Sequence, residues 1–216
     1  MAVSEIAVGV LAVTIAYLLG SIPSARLLPR LLNYADIHRI GSGVRALNVY
    51  RQLGAKSGVA VMIADMAKGA AAVGAAYWLL GVSQLFVLLA ALAAVAGHLW
   101  MVFLKFHGGG GIATCLGVLS TLLPIYGYWP ELLVFLAIMA VVVAITRNVV
   151  AGAAVAQVFL PLILWFGTDS LPVTLFAVSL AIIMGLKRLP SIRGDWAREG
   201  GIKSFIFHNS FRRNRR

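Results

Sequence analysis

The 216-residue sequence is 61% hydrophobic and only 12% charged, with a mean hydropathy of +0.95. A water-soluble domain of this length carries roughly a quarter of its residues as charges, so a soluble globule is excluded and much of the surface must face lipid. The net charge of +11 sits on stretches beside apolar segments, which favours anionic headgroups or a phosphorylated substrate over nucleic acid, and a lone Cys115 excludes an internal disulfide or a cysteine-based metal cluster.

Taken in chain order, Met1–Glu5 contains no Lys or Arg, so the basic start of a cleaved signal peptide is missing and the first apolar stretch reads as a retained helix. Seven apolar segments follow, at about 6–28, 57–80, 84–104, 112–129, 131–146, 149–166 and 171–186. They are continuously apolar, without the alternation of a β-barrel, and a helix needs roughly 20 such residues to cross a bilayer. The fourth and fifth are short, so five full spans with a re-entrant pair is the alternative to seven crossings. The positive-inside rule decides the orientation. With the N-terminus outside, 26–56, 105–111, 147–148 and 187–216 are cytoplasmic and hold 17 of the 18 basic residues. The expected architecture is an all-α polytopic membrane bundle of about seven helices, N-terminus outside and C-terminus cytoplasmic. It forms one transmembrane domain over 1–190, with a basic tail over 191–216.

Polar residues concentrate in the first two cytoplasmic loops. In the first, Ser42 stands between Gly41 and Gly43, followed by Arg45, Asn48 and Arg51. Arginine forks suit phosphate oxygens, although a solvated, topology-setting loop is the simpler reading for Arg30, Arg39 and the C-terminal arginines. In the second, Lys105 and His107 precede Gly108, Gly109, Gly110 and Gly111, and Thr114 follows. Glycines before a helix let backbone N–H groups wrap an anion at the positive end of the helix dipole. A tight turn is the other reading. Asp65 and Lys68 share one face of the second segment, where buried ionisable groups either pair with each other or mark a site. His98 closes the third segment as a substrate contact or a satisfied structural histidine. The residues five beyond His38, His98, His107 and His208 are Gly43, Phe103, Ile112 and Arg213, so the His-x4-Asp pair of other lipid acyltransferases is absent. No paired aspartates, His-x-x-His motif or Ser–His–acid set stands out, which leaves no metal site and no cofactor to expect.

The stretches Tyr17-Leu18-Leu19-Gly20-Ser21-Ile22-Pro23, Gly41-Ser42-Gly43 with Asn48 and Arg51, Asp65-x-x-Lys68-Gly69, and Gly97-His98 leading to Phe106-x-Gly108-Gly109-x-Gly111-Ile112-Ala113-Thr114-x-x-Gly117 occur in that order. Together they resemble the acyl-phosphate:glycerol-3-phosphate acyltransferase family of bacterial membranes, from Tyr17 to about Arg193. The resemblance implies acyl transfer from acyl phosphate to the 1-hydroxyl of glycerol 3-phosphate, giving lysophosphatidic acid for phospholipid synthesis at the inner membrane's cytoplasmic face. It implies no metal and no acyl-CoA. It also implies catalytic roles for Ser42 and Arg51. Phosphate binding falls to Gly43, Arg45, Asn48, Lys68, Lys105, His107, Gly108, Gly109, Gly110, Gly111 and Thr114, with Asp65 and His98 in support. The chain departs from the family pattern in four places. Its first loop is one residue shorter and lacks the family's Asn, second Gly and Thr, both lysines of the family's Lys-Gly-Gly-Lys-Gly are gone, Val150 stands where the family has serine, and Arg188-Leu189-Pro190-Ser191 replaces a His-Arg-Glu-Asn stretch. A catalytically impaired paralogue that binds lipid phosphate or a partner, and a small anion transporter, are the alternative readings. The sequence fixes no oligomeric state.

Overall fold

A computed structural model describes residues 3–31, 49 and 53–199, with side chains described up to 28, at 49, and from 53 to 188. Every regular element among them is helical. The elements are α1 (Val3–Gly20), α2 (Ser24–Leu31), α3 (Ala55–Gly74, continued by a π-helical turn at Ala75–Leu79), α4 (Gln84–Leu99), a 3₁₀ turn (Val102–Leu104), α5 (Ile112–Ile125), α6 (Trp129–Thr146), α7 (Val149–Thr168) and α8 (Leu171–Glu199). Six helices are long and apolar enough to cross a membrane, and α5 is an apolar helix of 14 residues.

The helices differ from the apolar runs where local chemistry interrupts them. The first run, expected over 6–28, breaks at Ser21–Pro23, because proline lacks a donor and pushes the residue before it out of helical backbone. The fourth, expected over 112–129, stops at Ile125 before a turn at Tyr126–Gly127. The fifth is a full 18 residues because the helix starts two residues earlier, with Pro130 in its first turn, where the missing N–H costs nothing. The last continues well past its apolar part, to Glu199.

The described residues divide into two compact units, one up to Ile125 and one from Tyr126 on. In the first, α1 packs along α4, and α3 packs along α5. Lipid gives no hydrophobic drive for helix association, so close van der Waals approach must supply it. Gly97 lies against the Tyr17 carbonyl and Gly117 against the Met66 carbonyl, so a Cβ at either position would overlap backbone. In the second unit α6, α7 and α8 pack in sequence. The Asn148 side chain caps α7 by accepting from the backbone N–H of Val150 and Ala151 at 2.9 and 3.2 Å.

Candidate active site around the glycine loop

Three interruptions of the chain meet at one level of the first unit. α1 ends at Gly20, α4 ends at Leu99, and α5 begins only at Ile112. Alongside them α3 runs on without a break. Its Asp65 lies ten residues beyond Ala55, about 15 Å along the axis at the usual helical rise. Gly69 of the same stretch touches the Thr114 carbonyl in the first turn of α5. The glycine loop and the start of α5 therefore stand deep beside α3. Irregular backbone at such depth persists only where protein or a wet cavity satisfies it.

Side chains tie these ends together. Tyr17 Oη donates to the Trp100 carbonyl at 2.7 Å, and Ser21 Oγ donates to the Tyr17 and Gly97 carbonyls at 2.9 and 3.3 Å. Lys68 Nζ lies 2.9 Å from Asp65 Oδ1 and donates to the Ile22 carbonyl at 3.0 Å. Asp65 Oδ1 is also 3.6 Å from His98 Nδ1. All three side chains are buried, at 3, 7 and 3% exposure for Asp65, Lys68 and His98, which is affordable for charges only because they are paired. One turn nearer the start of α3, Val61 packs with Ala25, Val49 and Met101, an apolar layer that also gathers Leu28, Leu53 and Leu104.

The loop itself turns on left-handed backbone at Lys105 and Phe106 (φ 52° and 62°) and again at Gly111 (φ 80°). Gly109 N–H donates to the His98 carbonyl at 2.9 Å, and Gly108 is pressed so closely on the His98 and Leu99 carbonyls that no Cβ fits. Gly111 opens α5, whose first-turn N–H groups have no partner within the helix. Lys105 and His107 are exposed, with His107 Nδ1 donating to the Lys105 carbonyl at 2.8 Å. Thr114 is wholly buried, and its hydroxyl has no hydrogen-bond partner among the described residues; the same holds for the Ser57 hydroxyl near the start of α3.

Of the residues expected at the site, Asp65, Lys68, His98, Lys105, His107, Gly108, Gly109, Gly110, Gly111 and Thr114 thus lie in one unit, with Asp65, Lys68 and His98 in one cluster that reaches the loop through the His98 carbonyl. Ser42, Gly43, Arg45, Asn48 and Arg51 lie outside the described residues. The sequence reading did not foresee the Ile22 carbonyl as a partner of Lys68. The break at Ser21-Ile22-Pro23, which releases carbonyls at the end of α1, was its available signal.

The chain is similar to known proteins in both sequence and build. The family profile described as glycerol-3-phosphate acyltransferase matches residues 10–194. Glycerol-3-phosphate acyltransferase 1 of Dehalococcoides mccartyi is 41% identical over 174 residues, 80% of this chain and 84% of that protein. The Nitrobacter winogradskyi glycerol-3-phosphate acyltransferase is 40% identical over 195 residues, covering 89% and 95%. Crystal structures of PlsY (YgiH), an integral membrane glycerol 3-phosphate acyltransferase, superpose with TM-scores of 0.75 for the glycerol 3-phosphate form and 0.74 for the lysophosphatidic acid form. Their sequence identities to this chain are 28% and 27%, and each covers 88% of this chain and 92% of its own. This integral membrane chain belongs to the glycerol-3-phosphate acyltransferase family.

Proposed function

We infer that the protein transfers an acyl group to glycerol 3-phosphate, making lysophosphatidic acid for phospholipid synthesis, with acyl phosphate as donor and the 1-hydroxyl as acceptor. The observation that carries this is the glycine loop set at the open N-terminus of α5, deep beside α3, in a chain of this family. Acyl phosphate is already activated. The protein need only hold two phosphate-bearing reactants in line and stabilise the charge that develops as the acyl–phosphate bond breaks and the ester bond forms. Acyl phosphate and glycerol 3-phosphate give lysophosphatidic acid and inorganic phosphate.

Backbone N–H groups of Gly108, Gly110 and Gly111 and the α5 dipole face one phosphate, joined by the Thr114 hydroxyl, while the Gly109 N–H holds the loop to the His98 carbonyl. A buried hydroxyl without a partner is costly, at about 1–3 kcal/mol, unless a ligand satisfies it. Lys105 and His107 stand at the loop's exposed side. The first loop brings Ser42, Gly43, Arg45, Asn48 and Arg51, of which Ser42 and Arg51 act on the reacting groups. Val49, next to Asn48 and two residues before Arg51, packs with Val61 and Met101 directly beneath the ion cluster, which supports that placement. The fatty chain lies in the bilayer beside the helices.

The site opens to the cytoplasm at the inner membrane. Seven crossings, with α5 as the short one starting from within the bundle and the N-terminus outside, leave the basic residues on that one side.

The purified protein in detergent, given acyl phosphate and glycerol 3-phosphate, should release phosphate and form lysophosphatidic acid in equal amounts. It should form none from acyl-CoA. Absence of turnover by protein that is demonstrably folded overturns the enzyme reading.

A further inference from the structure

Lys68 is expected from the sequence to meet a substrate phosphate, yet its ammonium is already held at two points, by an ion pair and by a hydrogen bond. One is on Asp65 and one on the Ile22 carbonyl. Each end of the cluster leads to a place where the chain leaves helical backbone. Lys68 holds the first residues after α1. Asp65 faces His98, the penultimate residue of α4, and the His98 carbonyl receives the Gly109 N–H. Among the described residues of the first unit, α3 runs unbroken past this level. A pair of buried charges on it is well placed to fix the two loose ends relative to each other, since any slip of either end would leave a charge buried and unpaired.

We propose that Asp65, Lys68 and His98 form a positioning unit that sets the glycine loop for phosphate, with none of the three touching substrate. This rests on the phosphate-binding reading of the loop given above. It goes beyond that reading by giving the cluster a single linked role. Residues 108–111 are all glycine and supply no side-chain donor, so the placement of their backbone donors carries much of the anion affinity here.

Groups that act as one unit fail together, so their losses do not multiply. The test compares Lys68→Met, His98→Gln and the double variant in detergent. It uses KM for both substrates, kcat, thermal stability, and binding of inorganic phosphate by calorimetry, which needs no turnover. The near-isosteric Asp65→Asn stands in if Lys68→Met does not fold. Each single variant should weaken phosphate binding and raise the phosphate-substrate KM about tenfold, with a smaller change in kcat. The double variant should fall within about threefold of the worse single. Multiplying losses would make Lys68 an independent substrate contact and overturn the proposal. A fall in thermal stability with unchanged phosphate binding would overturn it too, leaving a structural role only. If the wild type binds phosphate without turning over, the enzyme reading fails while the positioning unit is still tested by calorimetry.

Discussion

Gly108 has no room for a side chain because the His98 and Leu99 carbonyls close over it. Gly108→Ala must therefore lift the loop off the end of α4. It should cost at least tenfold in kcat/KM while the far end of the bundle keeps its packing, a separation that activity and thermal unfolding measured together will show. In the first loop a fork to phosphate is worth about 1.5–3 kcal/mol as a charge-assisted bond, so Arg51→Ala should lower kcat/KM by about 10- to 100-fold. Activity untouched by that change would remove Arg51 from the site. In the second unit the Asn148 side chain caps the start of α7. Asn148→Ala should destabilise by about 0.5–2 kcal/mol, seen as a lower melting temperature with KM unchanged.

At the scale of elements, α5 is short for a reason that lies outside its own sequence. Its apolar character continues the pattern of the other segments, but its start is drawn deep alongside α3, where Gly69 meets Thr114 and Gly117 meets Met66. Backbone contact of this kind leaves no slack. Gly117→Leu should force the helices apart at a cost of at least about 1–3 kcal/mol, lowering thermal stability and activity together, whereas a leucine at an exposed position such as Ser120 should change neither. The break after Gly20 belongs to the same scale. It sets the Ile22 carbonyl, two residues past α1, against α3, and Lys68 donates to it.

The whole molecule is expected to sit with its N-terminus outside. Cys115 is the lone cysteine and is buried, so Cys115→Ala gives a clean background for single cysteines. A membrane-impermeant thiol reagent should label Ser4→Cys in intact cells and Ser204→Cys only after the membrane is opened. The reverse pattern would invert the topology and move the glycine loop to the wrong side for a cytosolic acyl phosphate.

The sequence by itself determined the helical membrane class, because long apolar runs act through solvent and need no knowledge of neighbours, and the order of its motifs marked the family. It also marked the glycine loop, Asp65, Lys68 and His98 as the residues to watch. What it did not determine was which of these meet, since residues 22, 65, 68, 98 and 109 are brought together by helix packing and not by spacing. Tertiary structure alone decided that Lys68 is held by Asp65 and by the end of α1, and that the loop stands beside the middle of α3. The physical reason is that a buried charge takes whatever partner the folded backbone offers, and the Ile22 carbonyl is on offer only once α1, α3 and α4 have packed.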